Sequence, residues 1–265
     1  MTGAVQAPPG AGALAVTDLT IRYGAHVALQ PMSLRMAPGS IHGIIGPAGS
    51  GKTSFLRTLN RMSVELDGAT AEGRITLDDD AILGDGVTVD AHGLARLRRR
   101  MGIVFATPQP LPRSIYDNVA YGPRIAGVRE KDALDHIVER SLRAVHMWDE
   151  VSSRLSLSGM QLSGGQQQRL CLARTLALDP GVVLLDEPCS ALDPIATARI
   201  EETMRALKER ITFVLVTNTM RQAERVCDTT SFFLMGEHIE TASTPDLFNS
   251  ASHPKTRAYL AGQFG

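Results

Sequence analysis

Long apolar runs are missing from this chain of 265 residues. Its apolar stretches, such as Val182 to Leu185, fall far short of the ~20 residues a bilayer-spanning helix needs, so any link to a membrane must come through a partner. Net charge is nearly absent as well: 27 basic residues offset 28 acidic ones, for a formal charge of -1. No whole-molecule field therefore draws the chain onto nucleic acid or anionic lipid. Cysteine is scarce. Cys171, Cys189 and Cys227 lie far apart with no CxxC pair, which excludes a zinc clasp or redox couple of that type and reads as small buried residues in a reducing compartment. The 7 histidines show no HxxxH spacing, so no structural metal is expected. Met1 to Gly12 carry no Lys or Arg ahead of an apolar run, so no secretory signal is expected there.

What is present is an alternation of strand and helix patterns long enough for one large α/β domain. Leu19, Ile21 and Tyr23 alternate with Thr20 and Arg22 as in a strand with one buried face. Ile41 to Ile45 forms a second apolar strand, and a helix is expected from Lys52 to about Met62. Gly68, Gly73, Gly84 and Gly86 punctuate a hairpin-rich region, which suggests a β subdomain. Ile103 to Phe105 is a further strand candidate; Pro108, Pro110 and Pro112 after it forbid a helix. Leu134, Ile137, Val138, Leu142 and Val145 recur at helical spacing in a lobe that closes near Leu162. Val182 to Leu185 and Ile211 to Val216, with a helix between them from about Ile195 to Lys208, have the pattern of a parallel sheet. Arg96, Arg98, Arg99 and Arg100, interleaved with Leu94, Leu97 and Met101, suit the solvated side of an amphipathic helix better than a nucleic-acid contact.

Three motifs carry chemistry. Gly46-Pro47-Ala48-Gly49-Ser50-Gly51-Lys52-Thr53, followed by Ser54, fits the P-loop pattern and lies between a strand and a helix start. Its glycines let backbone amides turn toward phosphate oxygens, Lys52 reaches the β and γ phosphates, and the Thr53 hydroxyl is a ligand for Mg²⁺. Asp186 and Glu187 end a buried strand, at the sheet edge where ligands bind. Asp186 is placed to hold the magnesium and Glu187 to polarise an attacking water as general base. Leu162-Ser163-Gly164-Gly165-Gln166 precedes a helical run from Gln167 to Leu178 and offers a second set of amides at a helix N-terminus.

One γ-phosphate does not need two such cradles in one chain, and with these residues the sequence resembles the ABC ATPases, whose signature is matched by Leu162 to Gln166. The resemblance runs from about Leu14 to the C-terminus. It implies a P-loop NTPase core with an N-terminal antiparallel β subdomain and a helical subdomain at about residues 107–164, within an ABC ATPase domain at 14–262 after a disordered tail at 1–13. It also implies a head-to-tail dimer in which the signature of one subunit closes over the ATP of the other. Ser190-Ala191-Leu192-Asp193 would be the D-loop, and Tyr23 the aromatic that stacks on adenine, with plain strand packing as its alternative. The implied setting is the cytoplasmic face of a membrane, with two transmembrane permease subunits and an extracytoplasmic solute-binding protein as partners.

Within that family the chain looks most like the phosphate-import ATPases. The likeness rests on Leu59-Asn60-Arg61-Met62, Ser114 to Gly122, Gln166 to Cys171, Ala191 to Thr197 and the ending Gly262-Gln263-Phe264-Gly265. Two positions depart from the family. Ala106 stands where relatives have a glutamine that contacts magnesium and water, and Asn218 where they have a switch histidine. An amide donates a hydrogen bond but does not titrate near neutral pH. Three readings follow: a hydrolysing importer subunit, a degenerate subunit that closes on ATP but turns it over very slowly, and a soluble ABC protein acting on DNA or ribosomes. The last predicts a basic face or inserted arm, and the composition offers neither.

Overall fold

The computed structural model describes residues 10–263. Of the expected tail, residues 1–9 lie outside the described residues, while Gly12 N–H donates to Gly181 O at 3.0 Å and Ala13 N–H to Asp78 Oδ1 at 2.9 Å. Phe264 and Gly265 of the ending also lie outside the described residues.

The elements run β1 (Leu14–Tyr23), β2 (His26–Met36), β3 (Ile41–Ile45), α1 (Lys52–Leu59), α2 (Met62–Glu65), β4 (Thr70–Leu77), β5 (Asp80–Leu83), α3 (Ala91–Arg100) and β6 (Met101–Val104). After them come α4 (Ile115–Ile125), α5 (Lys131–Ala144), α6 (Trp148–Val151), α7 (Gly164–Leu176), β7 (Val182–Asp186), α8 (Pro194–Leu207) and β8 (Thr212–Val216). The chain ends with α9 (Met220–Val226), β9 (Thr229–Leu234), β10 (Glu237–Ser243), α10 (Thr244–Ser250) and α11 (Pro254–Leu260). Four strands make an antiparallel sheet in the order β2-β1-β4-β5, and six make a second sheet, β10-β9-β3-β8-β7-β6. The second sheet is parallel except for the β9–β10 hairpin. No helix among the described residues is long and apolar enough to cross a membrane.

Every residue of β3, β7 and β8 is buried, as expected of central strands when both faces of a sheet are covered, and the one charged-type side chain of β3, His42, is paired with Ser231 at 2.8 Å. Because side chains alternate along a strand, each of these strands serves two cores. Val182 and Leu184 of β7, with Val214 and Val216 of β8, face the antiparallel sheet and the α1 residues Phe55, Leu56 and Leu59. Val183, Leu185, Phe213 and Leu215 face the opposite way, onto a core shared with α4, α5, α7 and α8. The helix α1 is therefore wedged between the sheets, which fixes the turn that precedes it.

Two helix boundaries differ from the sequence expectation. The helix expected to run to about Met62 stops at Leu59, because Arg61 takes a left-handed backbone (φ 62°) and its guanidinium donates to Ile82 O at 2.9 Å. The helix expected from Gln167 begins at Gly164: Ser163 caps it, and the Gln166 side chain returns a bond to the Ser163 N–H. This reciprocal capping offsets the poor helix propensity of the two glycines.

The proline-rich segment after β6 is irregular, and the buried Asn118 of α4 organises it. Its Oδ1 accepts from Leu111 N–H at 2.7 Å, while Nδ2 lies within hydrogen-bond distance of the Leu111, Arg113 and Ser114 carbonyls. Three prolines cannot supply backbone donors, so a side-chain amide stitches the loop instead. Asn118→Leu keeps the branched shape and removes every bond, leaving buried carbonyls unpaired. It is expected to lower stability by about 2–4 kcal/mol in denaturant unfolding; a change within the ~0.5 kcal/mol of a neutral surface substitution would contradict this role.

Candidate functional site

The turn from β3 to α1 has room for backbone only at its two ends. A Cβ on Gly46 (φ 149°) would lie 2.0 Å from Phe233 O, and one on Gly51 (φ 87°) 2.4 Å from Ala28 O. Any side chain at either position would push the loop off β9 or β2. Gly51 is also the N-cap of α1 and makes no side-chain cap bond, so the first N–H groups of α1 have no intrahelical partner and point out of the helix end. The Ser50 hydroxyl is buried without a partner. Lys52 is 5% exposed, and its Nζ folds back across the loop to donate to Gly46 O at 2.7 Å and Pro47 O at 2.8 Å. Burial lowers the Lys52 pKa, while the carboxylates of Glu187 and Asp186 oppose that shift.

The strand β7 runs parallel to β8 and delivers Asp186 beside this turn, opposite Val216. Thr53 Oγ1 donates to Asp186 Oδ1 at 3.0 Å. Burial raises the Asp186 pKa against the effect of that hydrogen bond and of the Arg57 and Lys52 cations. Glu187 follows with a left-handed backbone (φ 47°), unusual for a non-glycine residue, pinned by its N–H to Val216 O at 2.9 Å. Asn218, two residues beyond β8, donates from Nδ2 to Glu187 Oε1. The structure thus brings Lys52, Thr53, Asp186, Glu187 and Asn218 to one sheet edge. Backbone N–H groups at a helix end, a buried ammonium and an orphaned hydroxyl fit a polyphosphate. Adjacent oxygens from Thr53 and Asp186 fit a hard divalent cation such as Mg²⁺.

The other expected site residues lie apart from this cluster. Among the described residues, no hydrogen bond joins Leu162–Gln166 to the turn 46–54. Gly165 instead packs against α8, where a Cβ would meet Ala196 Cβ at 2.8 Å. Ser190 and Leu192 N–H groups turn back onto the Glu187 and Cys189 carbonyls, and Asp193 caps α8 through the Ile195 and Ala196 N–H groups, both at 2.9 Å. Tyr23 ends β1 and packs, half-buried, against the inter-sheet core. Ala106 follows β6 and presents a half-buried methyl. The Gln109 carbonyl accepts from Arg174 at 3.0 Å, which ties that residue to α7.

Sequence reasoning missed Glu150 and Gln168. Glu150 accepts from the signature's Gln166 at 2.8 Å and pairs with Arg169, and no spacing announced it. Gln168 is hidden in a run of three glutamines, but 100° of helical rotation per residue separates their roles. Gln166 reaches Glu150, Gln167 the Met160 and Leu162 carbonyls, and Gln168 the interior.

The buried Asp186 has a consequence for stability. Its pKa is higher in the folded than in the unfolded chain, so its ionisation opposes folding as pH rises from the ordinary 3.8 through the raised value. Asp186→Asn is expected to raise the melting temperature of the ligand-free protein at pH 7, with the gain shrinking toward pH 4. Equal or lower melting of the variant at pH 7 would contradict the burial argument.

A sequence model described as ABC transporter matches residues 29–190. Similar solved structures include a dimeric post-hydrolysis state of the ATP-binding cassette MJ0796 bound to ADP and Pi. It is 25% identical with a TM-score of 0.74 over 87% of this chain and 98% of that one. CbiO1 from Clostridium perfringens, part of the ABC transporter complex cbiONQ, is 23% identical with a TM-score of 0.77, over 94% and 96%. A bacterial Atm1-family ABC exporter with ATP bound is 25% identical with a TM-score of 0.77, over 98% of this chain and 44% of that one. With the family's sequence model covering more than half of its length, this chain belongs to the ABC transporter family as an ATP-binding subunit.

Proposed function

We propose that the chain is the ATP-hydrolysing subunit of an importer, and that ATP-driven closure of a dimer is coupled to transport. The observation that carries this reading is the meeting of Thr53 with Asp186 and of Asn218 with Glu187 at one sheet edge, beside the buried Lys52. Lys52 exchanges the Gly46 and Pro47 carbonyls for β and γ phosphate oxygens, while the α1 amides and the loop from Gly46 to Ser54 hold the remaining oxygens. Thr53 and Asp186 would hold Mg²⁺, which would supply charge stabilisation to the transferring phosphoryl group. Glu187 accepts the proton of the attacking water, and Asn218 orients its carboxylate by donating to Oε1. Leu162 to Gln166 of a second subunit close over the nucleotide, with Ser190 to Asp193 as the D-loop between the two sites and Tyr23 beside the adenine.

The assignment to phosphate uptake rests on the resemblance of Leu59 to Met62, Ser114 to Gly122 and Ala191 to Thr197. Permease subunits and a solute-binding protein belong to the same proposal, as does a peripheral place on the cytoplasmic face. Support for a permease partner comes from cbiO1, itself part of a transporter complex. The domain division at 14–262, with a helical subdomain near 107–164, is proposed on the same footing.

Ala106 and Asn218 favour a second reading, a subunit that closes on ATP and hydrolyses it very slowly. Losing one hydrogen bond to a charged group costs about 1.5–3 kcal/mol, or roughly ten- to a hundred-fold in rate. Steady-state hydrolysis by purified protein with Mg²⁺, beside a nucleotide-binding assay, separates the readings. Glu187→Gln is expected to lower turnover by roughly 10²–10⁴ while binding persists. Tight binding with no turnover in the wild type, restored by combining Ala106→Gln with Asn218→His, would establish the second reading. The pH profile gives an independent check. Asn218 does not titrate, so Asn218→His is expected to introduce an inflection near the imidazole value of about 6.5 that the wild type lacks. An unchanged profile would place residue 218 outside the reacting centre.

A further inference from the structure

Gln168 is fully buried in the second turn of α7, four residues after the signature's first glycine. Its Nε2 donates to Phe105 O at 2.8 Å and to Pro188 O at 3.0 Å. Both neighbours are backbone carbonyls, which only the NH₂ end of an amide can serve, so chemistry fixes the orientation of the group. The two carbonyls belong to adjacent strands at the point where they leave the sheet. Phe105 follows β6, which pairs in parallel with β7 up to Val104 opposite Leu185, and Pro188 follows Glu187. One side chain of α7 therefore bridges the start of the Ala106 segment and the loop of the proposed general base.

The consequence falls on Glu187. Its left-handed backbone is held on one side by its own N–H to Val216 O and on the other by Ser190 N–H to Glu187 O, and one peptide unit further on Gln168 anchors Pro188 O. The methyl of Ala106 offers no polar link between these segments, so that task falls to the α7 side chain. We propose that Gln168 is a positioning residue that ties the signature helix to the backbone of Glu187, so that movement of the signature reaches the water-activating carboxylate through one amide. The proposal rests on the hydrolysis reading given above, in which Glu187 is the base and the signature engages a partner's nucleotide. Gln168 is fully buried and donates to two backbone carbonyls, so its effect is on the placement of Glu187 and not on binding.

The test substitutes Gln168→Met, which keeps length and volume and removes both donors. The control, Thr203→Val, deletes a side-chain bond to the Ala144 carbonyl between α8 and the end of α5. Both variants are measured for kcat and KM, for affinity toward a fluorescent ATP analogue, for melting temperature, and for hydrogen exchange of the segment 186–193. Gln168→Met is expected to lower kcat roughly ten-fold or more, the loss of about one hydrogen bond's worth of placement. Nucleotide affinity should stay within about two-fold, and exchange at 187–192 should rise, while Thr203→Val loses melting temperature alone. A Gln168→Met variant that matches Thr203→Val in both kcat and exchange would overturn the proposal and leave Gln168 as packing. Should the wild type itself show no turnover, the hydrolysis reading fails. The exchange comparison then decides Gln168 by itself: faster exchange at 187–192 than in the control supports the link, and equal exchange refutes it.

Discussion

The site depends on a turn whose two ends have no space for side chains. Phe233 O on one side and Ala28 O on the other close on Gly46 and Gly51, so the backbone between β3 and α1 is fixed by two neighbouring strands and not by its own hydrogen bonds. Because Phe55, Leu56 and Leu59 wedge α1 between the sheets, its N-terminal amides are held in one direction before any ligand arrives. An anion site built from backbone and helix end needs that rigidity, since each N–H contributes only where it is already aimed.

Around that turn the protein accepts local cost. Lys52 and Asp186 are buried with pKa values shifted toward their neutral forms, and Glu187 sits in a left-handed conformation rare for its type. Each would be more stable elsewhere. Their gathering at the end of β7 is what a phosphoryl-transfer site requires: charges held out of bulk water and poised for a ligand that neutralises them. The capped start of α7 and the Asp193 cap of α8 meet at Gly165 and Ala196, and Ser190 N–H ties the start of the segment 190–193 to Glu187 O at 3.2 Å.

Much of this was legible in the residues. The compact apolar runs of β7 and β8 mark strands covered on both faces, and the spacing of Gly46 to Thr53 marks the strand–turn–helix that the structure contains. The stop of α1 at Leu59 was not legible, because it depends on Arg61 reaching Ile82 O across 21 positions of chain. The start of α7 was misplaced because two glycines read as loop, whereas Ser163 and Gln166 cap each other and carry the helix through them. Gln168 and Glu150 escaped notice for the same physical reason. Their partners, Phe105 O, Pro188 O and Gln166, are set by tertiary packing, and no local period encodes it.

Under the proposed function one composite site needs two chains, since among the described residues Leu162–Gln166 make no hydrogen bond to the turn 46–54. Sedimentation of a Glu187→Gln protein with and without Mg²⁺-ATP, alone and combined with Ser163→Arg, tests this directly. The account predicts a monomer that becomes a dimer with ATP, and a Ser163→Arg form that still binds ATP but stays monomeric. ATP binding with no change in mass, or dimerisation indifferent to Ser163→Arg, would contradict it.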